Sequence, residues 1–597
     1  MTMLQSALPN QLSTGAATPS PKVRAGNIAW RALAYPALIV TGVLYVVPLG
    51  ILLLHSVTDP EWGFGNYSRL LTQSGYLRTL GRTLGLAAIS TMLALLIGYP
   101  IAYRIATSPR AWLRRLLILC VAAPYLTSIL IRTFAWQILL GRIGLVNQGL
   151  QAAGWHTLEL LFNATAVIIG LTHFLLPMMI FPLVSVMRNI EPSLLRASSS
   201  LGAGPATGFV KVFVPASWPG IKVGTVLCFV YGVGAFVTPA LLGGNSGRMI
   251  GALIESAISQ QADYGLAAAA SILLAAGVAV ILLVFRWGLG GRLAELVSPS
   301  SIRQAQQHRQ RRAPRHSRIA QWASRLAIAI DKSGLSRVPG LITGYALVAG
   351  LIILLPQLIA IPISFSSTRT LIFPPPGWST QWYSGFFSAQ WLAPLWTSIE
   401  IAAGVTVLSC ILGGFAAVGV ARGWRGKPAL AATVLLNFPL VFPTVVAAAA
   451  FFLAWLPLGL TDTKFGILLA HLTIALPFVF ILVGANLQML NPSLERAAAS
   501  MGASVATQVR RILIPLLSGS LLTGAFFSFL SSFDEASIAV FLSGLQVKTL
   551  PRRMYEALSF ESDPTIGVIA VLTMVVTALA IAGGARFVRA RPSQRQR

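Results

Sequence analysis

Residues 491–503 read NPSLERAAASMGA, and residues 191–203 read EPSLLRASSSLGA, 300 positions earlier. Each stretch is small and polar, and each lies between two long apolar runs. Over 192–215 against 492–515, eleven of 24 positions are identical, with Pro192/Pro492, Gly202/Gly502 and Pro215/Pro515 in register. The equivalence continues through Gly224/Gly524 and Gly244/Gly544, and Pro124 and Trp136 share their spacing with Pro443 and Trp455. Self-similarity at one fixed offset means a duplicated unit. The chain therefore reads as two halves in the same orientation, an arrangement that builds a pathway at the interface between them.

Composition sets the surroundings of these halves. The 597 residues are 55% hydrophobic and 10% charged, with a mean hydropathy of +0.75. A soluble chain carries about 25% charged residues. The apolar runs have the length of about 20 residues that a bilayer core demands. Twelve spans are expected, near 33–56, 82–106, 116–140, 163–187, 221–243, 267–289, 341–364, 396–420, 430–456, 465–488, 519–542 and 566–587. The fold class is an all-α polytopic membrane protein with two parallel six-helix halves. Its divisions are a disordered tail (1–30), a first half (31–289), a basic linker (290–340) and a second half (341–590).

The net charge of +28 reflects Lys and Arg retained in cytoplasmic loops and does not point to nucleic acid. Arg104, Arg110, Arg114 and Arg115 follow the second span, and Arg422, Arg425 and Lys427 follow the eighth. The linker carries RQAQQHRQRRAPRHSR (303–318), and the tail holds Arg586, Arg589, Arg591, Arg595 and Arg597. Both termini and the linker are thus expected in the cytoplasm. One loop runs against the bias: Lys548, Arg552 and Arg553 fall outside, accompanied by Glu556, Glu561 and Asp563. Residues 319–330, IAQWASRLAIAI, have the pattern of an interfacial helix. Cys120, Cys228 and Cys410 are scattered within apolar runs and imply neither a disulfide framework nor a metal site.

Each repeated stretch follows the fourth span of its half. Asn491 or Glu191 suits a helix N-cap, with proline at the first helical position. The helix is expected over 492 to about 500, ended by Gly502 at positive φ. A second short helix should follow, broken by Pro515 or Pro215 before the next span. Ala497, Ala498 and Ala499 leave one side shallow for a partner.

These residues resemble the coupling motif of binding-protein-dependent ABC importer permeases: Glu-Ala-Ala, three residues, Gly, nine residues, Ile-x-Leu-Pro. Ala497, Ala498, Gly502, Ile512 and Pro515 fit it, as do Ala197, Gly202 and Pro215, with Val212 for Ile. Both copies depart at the acid, which is Arg196 or Arg496, although Glu495 is adjacent to the latter. FVTPALLGG (236–244) with MIGALIESAISQQADYGLAAAAS (249–271) resembles the B-type permease of spermidine/putrescine importers. SFDEASIAVFLSG (532–544) with TLPRRMYEALSFESDPTIG (549–567) resembles the C-type. The resemblance implies a fused permease, in the inner membrane, serving a separate solute-binding protein outside and a homodimeric ATPase docked on the two loops. ATP and its magnesium would belong to that ATPase. The phosphate-cradling pattern G-x-x-x-x-G-K-[ST] is absent here, since GWRGKP has Pro428 where the hydroxyl belongs. No catalytic or metal cluster is visible, and the chain reads as a transport subunit, not an enzyme.

Charges inside spans cost about 2.5–3.5 kcal/mol each on insertion scales, so they mark function or pairing. Arg132 lies within the third span, Glu400 near the outer end of the eighth, and Asp534 and Glu535 about 22 Å into the eleventh at 1.5 Å per residue. They are the candidate pathway residues. Pairing of Arg132 with one of these acids is an equal reading. Adjacent helical residues point about 100° apart, so only one of Asp534 and Glu535 faces the pathway. Their first-half equivalents are Gly234 and Ala235, where the resemblance implies an acid that this chain lacks. The competing reading is a twelve-span secondary transporter driven by an ion gradient. Its G-x-x-x-D-R-x-G-R-R loop is not matched by YRIATSPRAWLRR.

Overall fold

The computed structural model describes residues 29–289, 318–334, 340–561 and 564–589. Most of the expected tail 1–30, most of the linker 290–340, Asp563 and the arginines beyond 589 lie outside the described residues. All twelve expected spans fall on helices. Among the described residues ten helices are long and apolar enough to cross a membrane. Gly426–Val441 and Thr444–Leu458 form an eleventh span bent by 98°. Thr565–Arg589 occupies the twelfth position.

Several spans are not the straight rods that hydropathy suggests. The third breaks between Ala111–Tyr125 and Ile129–Leu140. The ninth bends at Phe442 and Pro443. Proline near each break removes a backbone donor and crowds the preceding turn. The fifth and eleventh spans end early, at Val233 and Phe533, and resume as Val237–Leu242 and Ser537–Leu542.

The two halves share one packing plan. Ser74–Thr107, Ala164–Met187 and Pro205–Val233 pack together in the first, and Ala389–Gly423, Lys464–Met489 and Val505–Phe533 in the second. Small residues set their approach. A Cβ at Gly224 would lie 2.6 Å from Met179 Sδ, and one at Gly524 would lie 3.2 Å from Val479 Cα. Without a hydrophobic drive in lipid, such close backbone contact is what binds helices.

The first span of each half packs on the other half. Ala34 and Ala37 share a core cluster with Ala416, Ala417, Leu476 and Val479, and Arg31 Nε donates to the Gly423 carbonyl at 2.8 Å. Conversely, Ala346 and Ile353 join Leu113, Leu117 and Leu175, with His173 Nε2 within 2.8 Å of the Ile353 carbonyl. Tyr45, from the first span, meets Phe438, Phe442 and Phe451 edge-on. The exchange makes the halves one body.

The basic residues that run against the charge bias are neutralised locally. Lys548 and Arg552 pair with Glu556, and Arg553 pairs with Glu561.

Candidate functional site

The repeated stretches fold alike. The first forms the helix Pro192–Ser200 and the second Ser493–Ser500. Gly202 and Gly502 take φ of +82° and +87°. Gly202 N–H donates to Ser199 O and Ala203 N–H to Ser198 O, at 3.0 and 3.1 Å; Gly502 and Ala503 repeat this on Ala499 and Ala498. This is the Schellman ending, in which two amides turned back satisfy terminal carbonyls. The N-termini differ from expectation. Glu191 occupies the N-cap without capping, its carboxylate taken by the Ser193 hydroxyl. In the second copy Pro492 is the N-cap, and Asn491 Oδ1 accepts from Ser493 N–H at 3.0 Å.

Pro215 and Pro515 do not break a helix, contrary to the sequence reading. Residues 205–233 and 505–533 run on as single helices of 29 residues. A π-helical turn, Phe209–Phe213 or Val509–Leu513, precedes each proline. The wider turn changes the local bonding register, so the missing proline N–H is tolerated without a break. Each loop is therefore joined to its span by a continuous rod.

The exposed face of each loop helix is apolar and basic. Leu201 is 89% exposed and Met501 83%; Leu194 and Leu494 are also exposed. Arg196, Ala197, Arg496 and Ala497 face outward, whereas Ala498 turns inward. Glu495 turns inward too. It is 7% exposed and binds Arg422 through two bonds of 2.7 and 2.9 Å. Arg422 reads in the sequence only as a topology marker, because its partner lies 73 residues away. Leu201 and Met501 escape the motif altogether; their shared offset of 300 is the signal that finds them.

At the centre, each helix break meets the bent helix of the opposite half. Gly234 lies so close to Pro443 that a Cβ would come within 2.9 Å of its ring. Asp534 faces the Ser128 hydroxyl and Ile129 amide, at the start of Ile129–Leu140. Asp534 lines a cavity of about 20 Å³ with Ser128 and Ile131 from the first half and Leu530, Phe533 and Met554 from the second. That volume admits about one water, so the centre is closed. Glu535 instead caps its own short helix, accepting from Ile538 N–H at 3.0 Å.

Arg132 is buried beside this cavity. Its guanidinium lies 5.1 Å from the centre of the Phe174 ring, and Nη1 has no hydrogen-bond partner. Among the described residues no ion pair joins it to Asp534 or Glu535. Glu400 stands apart on the surface, paired with Lys464 at 2.5 Å with both side chains solvent-exposed.

Two parallel halves, a closed seam between them and a matched pair of loop helices on one face define a two-fold membrane permease. The chain belongs to the family described as "Binding-protein-dependent transport system inner membrane component", which matches residues 91–290 and 409–593. It is similar to the spermidine/putrescine transport system permease protein PotB of Salmonella typhimurium, 34% identical over 40% of this chain and 82% of that protein. It is also similar to the corresponding PotC of Haemophilus influenzae, 29% identical over 34% of this chain and 79% of that one. A chain of a bacterial ABC transporter involved in import of the acidic polysaccharide alginate aligns with a TM-score of 0.40 and 20% identity, over 44% of this chain and 95% of that chain. The protein is thus the multi-pass permease component of a binding-protein-dependent ABC importer of the inner membrane. It is not an enzyme; in this family the ATPase is a separate subunit.

Proposed function

We propose that this chain fuses both permease halves of an importer for a small organic cation of the polyamine type, driven by a separate ATPase dimer. The carrying observation is the pair of Schellman-ended loop helices, each leading through a short turn into a rod whose far end lies at the central seam. The loops face the cytoplasm with both termini and the linker, and a solute-binding protein docks on the opposite face. ATP and magnesium reside on the ATPase. Leu194, Leu201, Leu494 and Met501 supply the apolar contact. Arg196 and Arg496 require acceptors in the ATPase groove where the family motif would bring an acid.

The rods explain how the motion travels. Twenty-nine residues at 1.5 Å each give a lever of about 43 Å, from the loop to Gly234 or to Asp534. Closure of the ATPase dimer would shift both levers together and part the seam. Asp534 would then leave the Ser128 hydroxyl and Ile129 amide, and its carboxylate would be open to an ammonium group. The spermidine/putrescine relatives support the cation class, and an acid that lines the seam cavity, joined to no ion pair among the described residues, supports it independently.

The test is reconstitution in nanodiscs with the ATPase and binding protein. Hydrolysis should rise when loaded binding protein is added. Gradient-driven uptake by the purified chain alone would overturn the reading. Asp534→Asn should cut putrescine uptake about tenfold, a change of about 1.4 kcal/mol, while basal ATP hydrolysis persists. Unchanged uptake would remove the cation assignment and leave the ATP-driven reading standing.

A further inference from the structure

The helix Arg318–Lys332, in the segment joining the halves, ends against the first loop. The Asp331 carboxylate accepts from Ala206 N–H at 2.9 Å, Thr207 N–H at 2.8 Å and the Thr207 hydroxyl at 2.6 Å. Those amides belong to the opening turn of the rod 205–233, whose N-cap position is Gly204. A helix start leaves its first amides without intrahelical partners, and a cap must supply them.

The second loop meets that need by itself. Ser504 is its N-cap, and its own hydroxyl accepts from Thr507 N–H at 3.2 Å. Gly204 has no side chain to do the same. A Cβ there would lie 2.4 Å from the Asp331 carboxyl carbon. The glycine and the distant acid are thus complementary: one vacates the cap position and the other fills it, bonding an amide 125 residues away in the chain.

We infer that Asp331 is a positioning residue for the first coupling loop, so the joining segment takes part in coupling and does not merely tether the halves. The inference rests on the reading of the loops as ATPase sockets. It makes the sockets unequal, one capped from within and one by the linker.

The experiment uses the full chain in nanodiscs, alone and with its ATPase and loaded binding protein. In Asp331→Ala, the amides of Ala206 and Thr207 should exchange hydrogen about five- to tenfold faster, as expected for loss of a cap. Stimulated hydrolysis should fall about threefold with the unstimulated rate unchanged. Adding Gly204→Ser to that variant restores a cap in place, and both readouts should recover. Joint recovery of exchange and stimulation with a cap that the linker does not supply would trace the loss of coupling to the cap and not to general damage of the chain. Unchanged exchange in Asp331→Ala would overturn the cap. Changed exchange with unchanged stimulation, or exchange rescued without stimulation, would overturn the coupling role. A wild-type chain that binds no ATPase would overturn the socket reading itself, while the exchange result would still measure the cap.

Discussion

The two loop helices present the same outline to a partner and are held from behind by different means. In the second, the buried Glu495 carboxylate grips Arg422 at the end of Ala389–Gly423. Arg422 Nη2 also reaches the Leu487 carbonyl at 3.4 Å. In the first, Leu195 stands where Glu495 does and packs against the apolar cluster that contains Leu183 and Phe213. The caps differ as well, Ser504 in one and Asp331 in the other. On the proposed reading, surface that fits a symmetric ATPase keeps its geometry in both copies. Support that faces only this chain is free to diverge, because an ion pair and an apolar contact can hold the same backbone.

The largest expected effect touches what the copies share. Proline at Gly502 cannot adopt φ of +87° and lacks the N–H that Ala499 O accepts. Gly502→Pro should abolish assembly with the ATPase on blue-native gels while the chain still inserts in the membrane. Gly202→Pro should do the same. If only one of the two disrupts assembly, the sockets are not equivalent in shape after all.

The next effect separates the copies. Arg422→Ala leaves Glu495 buried and uncompensated, which costs about 3–5 kcal/mol where a buried pair loses one partner. Thermal unfolding of the purified chain, or protease cleavage near 495, should register it. Changing Glu495 to Leu in the same variant copies the first half and should recover most of the loss. No comparable sensitivity should appear on mutating Leu195 to Met, a swap of similar volume. Failure of the double variant to recover would mean that the ion pair specifies the loop's position and not only its stability.

How much of this could be read in the sequence follows from the range of the interactions. The twelve helical segments, the doubling and the positive-φ glycines depend on local pattern, and the 300-residue offset displays them twice. The break after Val233 is legible in Pro239 and the glycines near it, which suggest a broken helix; the breaks near Tyr125 and Phe533 are less so, because hydropathy averaged over each run sees one span. Pro215 and Pro515 mislead for a related reason: a π-helical turn accommodates a proline that an unbroken α-helical register would not. Glu495 with Arg422, Asp331 with Gly204, and Asp534 with Ser128 are long-range pairs. A lone sequence offers no signal for them beyond an acid without an obvious partner. Arg132 is the converse case, where two opposite charges in neighbouring spans suggest an ion pair that the structure does not form.

The smallest expected effect bears on the caps. Ser504→Ala removes one neutral hydroxyl that accepts from the Thr507 amide and shares a hydrogen bond with the Thr507 hydroxyl at 2.9 Å, and Ser/Thr caps of this kind are worth about 1 kcal/mol. Asp331 accepts two amides and a hydroxyl with a full negative charge, and charge-assisted bonds are roughly twice as strong as neutral ones. Exchange at Thr507 in Ser504→Ala should therefore quicken by about fivefold, less than at Thr207 when Asp331 is lost. The second loop also retains its Arg422–Glu495 anchor, which should hold the neighbouring Ser493–Ser500 amides at their wild-type rates. If Ser504→Ala proved the more damaging of the two, the second loop would depend on its cap more than on its ion pair. The contrast between an anchored socket and a linker-capped one would then have to be redrawn.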